Sequence, residues 1–272
     1  MQPWHRRWYL AVNALATVGV LAAGVASGLT PADPGLGRDR LRAGVGLGMA
    51  VGWPVVAAYG AGVLIPATRP LLNDQRVAGL DRRQLIYQVL LRIPVGTVAW
   101  EEVAFRGVLR AALRRVLGEP AATVVGSAVF GLWHVRPTVE ALEVNGLAGG
   151  RGARVFAVTA VMGGTAGAGA VLCLLRERSG SLAAPVLLHL AANCTGALAS
   201  TLAARDGLHA RPVRGPRRRP GLRRRPGHQP VPLGSRARSG RIIACSLKDR
   251  CWILVRWNIS PNGWPRCPGW WR

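Results

Sequence analysis

The sequence predicts an all-α fold: a polytopic bundle of about six transmembrane helices followed by a disordered basic C-terminal tail. Three observations lead there. Half of the 272 residues are hydrophobic and only 18% are charged, against about 25% charged in ordinary soluble domains. The apolar residues fall in long blocks, all before residue 204. Those blocks hold much of the chain's glycine, 35 residues in all. Glycine weakens a soluble helix, whereas in lipid small residues let helix backbones approach closely.

The first block runs from about Trp8 to Leu29, behind His5, Arg6 and Arg7. A signal peptide starts similarly, but its apolar core is about 7–15 residues. A run of about 20 residues matches the hydrocarbon thickness, so a retained span is expected. The second block, about Leu41 to Ile65, contains Pro54 and predicts a kinked span. The third, about Leu85 to Leu109, is apolar up to Trp100 and then carries Glu101, Glu102 and Arg106. The fourth, about Ala121 to Val135, is short and ends at His134. The fifth, about Arg154 to Leu175, is rich in Gly and Ala. The sixth, about Ser181 to Ala204, contains His189 and Asn193. The expected organisation is residues 1–84 as two N-terminal helices with loops, 85–204 as the core, and 205–272 as an Arg/Pro-rich tail. A multi-pass protein of the cell membrane follows. Arginines flank nearly every loop, so charge asymmetry does not set its orientation.

Charge divides the chain. Residues 1–204 carry 19 Arg against 10 acidic residues, whereas residues 205–272 carry 17 Lys and Arg against two Asp. The tail segment RPVRGPRRRPGLRRRPGHQP has no means of burying a core and is expected to be disordered. The abrupt change of composition also fits an out-of-frame translation; the competing reading is a basic tail that touches anionic lipid. No specific nucleic-acid partner is expected. The five cysteines contain no CxxC pair, which argues against a structural zinc site.

The chemistry concentrates in three places. Glu occurs six times, and two of the six adjoin at the end of an apolar span. Ionisable groups at membrane depth are costly and normally face a bundle interior or a water-filled cavity. On an α-helix Glu102 and Arg106 share a face at i and i+4, so they are expected to pair. Glu101 is turned about 100° away, and its i+4 neighbour is the uncharged Phe105, so it is the freer base. His134 closes the fourth block, with Phe130 four residues before it. His189 and Asn193, again i and i+4, place an imidazole and an amide on one face.

Amide hydrolysis needs a base for water, a proton donor for the leaving amine, and donors for the oxyanion. Glu101 with His134 can supply the first two, and His189 with Asn193 the third. The same residues suit a catalytic zinc, for which two His and one Glu are the usual ligands; these would be Glu101, His134 and His189. The HExxH pattern is absent, and the sequence leaves metal-free and metal-dependent chemistry open. No GxSxG elbow supports a seryl mechanism. Two other classes compete: a non-catalytic immunity or scaffold membrane protein, and a proton-coupled transporter whose Glu, His and Arg relay protons.

These motifs resemble a known family. EEVAFRG at 101–107 is similar to the EExxxR motif of the CAAX-protease and bacteriocin-processing family, the Abi or Rce1-like intramembrane proteases. FGLWH at 130–134 is similar to its FxxxH motif, and SLAAPVLLHLAAN at 181–193 to its HxxxN motif. The resemblance covers about residues 85–204. It implies a helical membrane endopeptidase, glutamate- or metal-dependent, acting on a membrane-associated peptide or protein. It also implies that Glu101 and His134 activate water, that His189 and Asn193 hold the oxyanion, and that Glu102 and Arg106 support them. Functions in the family range from trimming prenylated proteins to bacteriocin maturation and self-immunity.

Overall fold

In the computed structural model, described for residues 3–147 and 149–209, the chain is helical and contains no strand among those residues. The expectations for the tail beyond His209 lie outside the described residues. Helix α1 spans Pro3–Ala26 and α2 Leu41–Leu64, with Pro54 inside it. Two short helices, α3 (Arg69–Leu72) and α4 (Gln75–Ala78), lead to α5 (Arg82–Tyr87). Asp81 starts α5 with a capping box: its side chain accepts from the Gln84 backbone N–H at 2.8 Å, and the Gln84 side chain accepts from the Asp81 backbone N–H.

Three π-helical runs then follow in nearly unbroken sequence: Gln88–Arg92, Pro94–Ala99 and Glu102–Leu109. They pass into α6 (Arg110–Leu117). The expected third span is therefore a wide-turned helix and not a regular α-helix. Helices α7 (Glu119–Trp133), α8 (Val135–Val144), α9 (Arg151–Ser179) and α10 (Ala183–His209) complete the order. Gly118 (φ 75°) breaks α6 from α7, and Gly180 (φ 65°) ends α9; both need a left-handed φ that other residues adopt at a cost.

Four helical segments are long and apolar enough to cross a membrane: Trp8–Ala26, Arg38–Leu64, Arg151–Ser179 and Ala183–Arg205. Of the six expected spans, these are the first, second, fifth and sixth. The third is divided into π-helical runs. The fourth, α7, has 15 residues, or about 22 Å at 1.5 Å per residue, short of a full crossing.

The glycines set how closely the helices approach. Gly44, Gly48 and Gly52 form a stripe at i, i+4 and i+8 on α2, turned to α10. A Cβ at Gly48 would stand 2.9 Å from the Leu187 Cβ and 3.0 Å from the Ala184 backbone, so nothing larger fits without moving α10. This contact fixes the helix that carries His189 and Asn193. On the other side, a Cβ at Gly131 would meet the Met162 carbonyl at 2.6 Å, which seats α7 against α9. Helix α1 braces the π-helical region. Asn13 Nδ2 donates to the Gly96 carbonyl at 2.7 Å, and the Tyr9 hydroxyl bonds Thr97 Oγ1 at 3.1 Å.

Candidate active site

Glu101 and Glu102 lie at the start of the third π-helical run and are both buried, Glu102 completely (0% exposed). The pair expected from spacing is present: Arg106 Nη1 donates to Glu102 Oε1 at 3.3 Å, with Arg106 only 1% exposed. It forms although the local helix is π and not α. The Arg106 guanidinium also lies over the Phe130 ring, 3.8 Å from its centroid.

His189 comes to the same carboxylate from α10, 87 residues away. Its Nδ1 and Glu102 Oε1 are 2.7 Å apart. His189 Nε2 points to Glu101, 3.9 Å from Oε2. His189 therefore sits between the two glutamates. Spacing paired it with Asn193 and gave no sign of this contact.

Glu101 is not free of partners either. Trp133 Nε1 donates to Glu101 Oε1 at 3.1 Å. This indole is the functional side chain that sequence reasoning missed. It stands inside FGLWH, next to His134, but tryptophan at a helix end reads as an interfacial anchor. Glu101 Oε2, Glu102 Oε2 and Arg106 Nη2 are buried and make no hydrogen bond among the described residues.

His134 caps α7. Its Nδ1 lies 2.8 Å from the Phe130 carbonyl, so this nitrogen is the protonated one and Nε2 is left for chemistry. The Phe130 ring touches both histidines, edge-on, with centroids 4.5 Å from His134 and 6.5 Å from His189. Asn193 stands one turn beyond His189 on α10, and its side chain makes no hydrogen bond among the described residues. The fold thus joins Glu101, Glu102, Arg106 and His189 directly. His134 is linked to them through Phe130, and Asn193 lies one turn from His189 on the same helix.

Among the described residues, no three His, Cys, Asp or Glu side chains are grouped so as to hold a metal ion. His189 engages Nδ1 with Glu102 and His134 engages Nδ1 with a backbone carbonyl, which leaves Nε2 of each without a hydrogen bond among the described residues, the usual arrangement of a histidine that binds metal.

Together, the apolar helices and a buried Glu–Arg–His cluster define a helical membrane protein with a polar site inside its helices. Residues 83–195, which hold all three motifs, match the family model described as type II CAAX prenyl endopeptidase Rce1-like. No curated protein and no solved structure matches the chain.

Proposed function

We propose that the protein is an intramembrane endopeptidase, multi-pass in the cell membrane, that hydrolyses a peptide bond of a membrane-associated peptide or protein close to the membrane face. The observation that carries this reading is Glu101. One of its carboxylate oxygens is held by an indole N–H, and the other is buried, unpartnered and turned to an imidazole.

In the proposed reaction Glu101 takes a proton from water through Oε2, and the water oxygen attacks the scissile carbonyl carbon. His134, protonated on Nε2 as well as Nδ1, gives the Nε2 proton to the departing amine and regains one from Glu101. His189 Nε2–H and Asn193 Nδ2–H donate to the oxyanion. Glu102, bridging Arg106 and His189, keeps the imidazole oriented and balances its charge. Every step uses side chains only.

Cleavage of a membrane-extract peptide library by the detergent-purified protein tests this. The wild type is compared with Glu101→Ala and His134→Ala, each with and without chelator. Loss of cleavage in both variants supports the reading, and loss with chelator would bring a metal into it. No cleavage by the wild type, or equal cleavage by all three proteins, would overturn it in favour of a non-catalytic immunity or scaffold role.

A further inference from the structure

We propose that Trp133 is a positioning residue for Glu101: its indole N–H fixes the carboxylate so that Oε2 is the oxygen presented to His189. The inference rests on the reading of Glu101 as the base.

Trp133 is not held in place by burial. Its side chain is 46% exposed, yet its polar atom is directed inward onto a buried carboxylate. The ring is steadied on the inner side by Phe105, with centroids 5.9 Å apart, and by Trp100 at 6.3 Å. A hydrogen bond to an ionised group is among the stronger ones, and Oε1 has no other partner among the described residues. Without the N–H, the Glu101 carboxylate could rotate and present either oxygen. The other groups acting on Glu101 are His189, His134 and Glu102. None of them bonds Oε1, so none replaces the indole. Trp133 also immediately precedes His134. The same turn of α7 therefore places both the clamp on the base and the proposed proton donor.

Two measurements on the full-length protein in detergent test this. In the first, indole nitrogens are labelled with 15N and observed by NMR; the signal missing from Trp133→Phe identifies Trp133. Glu101→Ala should shift that signal, and a signal left unmoved would overturn the hydrogen bond and the proposal with it, whatever the activity. The second uses the peptide cleaved in the library assay. Trp133→Phe keeps the ring and removes the donor, so kcat should fall about tenfold with KM within about twofold and only a small fall in melting temperature. Trp133→His, which restores a ring N–H, should recover part of the loss. Adding Trp133→Phe to Glu101→Gln should cost nothing further, because the two act as one unit. If Glu101→Gln is inactive while Trp133→Phe keeps full kcat, the positioning role is wrong and the base stands. If Glu101→Gln is itself active, the base reading fails, and the NMR experiment still decides the hydrogen bond.

Discussion

Two buried arginines one helical turn apart serve opposite ends. Arg110, 2% exposed, donates to Glu119 and to Glu177, each at 2.5 Å. Glu119 is bonded on both oxygens, the second by Arg114 at 3.0 Å, and Glu177 also accepts from Thr123. Both acids keep contact with solvent, at 45% and 22% exposure. Arg106 has one carboxylate, which it shares with His189, and beside it two carboxylate oxygens lie buried with no partner among the described residues. The first cluster is a clasp between α6, α7 and α9 whose carboxylates reach water and whose one buried unpartnered atom, among the described residues, is a donor, Arg110 Nε. The second keeps unused acceptors in a dry place, which costs stability and is the condition for holding water or a substrate. A buried ion pair therefore says little by itself, since each cluster leaves a buried guanidinium nitrogen unpartnered among the described residues; what sets the Arg106 cluster apart is that carboxylate oxygens are left over too.

The sharpest way to break this contrast is by activity. Glu101→Gln and His134→Ala should each lower cleavage by about 10²–10⁴-fold, while Arg110→Ala should retain most of it in molecules that remain folded. An Arg110 variant as inactive as the Glu101 variant would erase the distinction.

Stability should separate the arginines next. Arg106→Ala leaves Glu102 wholly buried without its guanidinium, an expected loss of about 3–5 kcal/mol. Arg110→Ala leaves two acids that water can reach, an expected loss of about 1–2 kcal/mol. Thermal unfolding in detergent compares them, and equal losses would contradict the difference in burial.

A smaller effect is expected from the packing that brings α7 to α9. Gly131→Ala puts a methyl against the Met162 carbonyl and should cost about 1–3 kcal/mol. Cleavage should fall with it if the contact positions Phe130 and Trp133. Unchanged melting and activity would show that α7 reaches its place by other contacts.

The smallest effect lies outside the helices that carry the site. Burial pushes the Asp74 carboxyl up, but hydrogen bonds from the Arg76 side chain and backbone outweigh it and hold the group below the usual carboxylate range. Asp74 also accepts from Asn145, and its N–H donates to Ser200, so it ties α4 to α8 and α10. With a depressed folded pKa, this contribution is complete above the unfolded value near about 3.9 and is lost as pH falls through the folded value. It should amount to about 1 kcal/mol or less. Between pH 6 and pH 3 the wild type should lose more melting temperature than Asp74→Asn; parallel losses would remove Asp74 as the cause.

Much of this was legible in the chain itself. Long apolar blocks require helices, because lipid offers the backbone no other partner. The Glu102–Arg106 pair follows from local spacing and survives the change from α to π geometry, since both residues lie on one helix. The two unconfirmed spans show where one-dimensional reading ends. Block length counts residues, but Gly118 and the π-helical runs redistribute them into shorter or wider helices. Only the tertiary structure decided that His189 bonds Glu102 and that Trp133 holds Glu101. These contacts join residues 87 and 32 positions apart in sequence. They depend on which faces of separate helices meet, and that is set by the glycine stripe through which α2 seats α10 and by Gly131, through which α7 approaches α9. Spacing within one helix carries no information about the rotation of its neighbour, so the Glu102–Arg106 pair could be read from sequence while the contacts between helices could not.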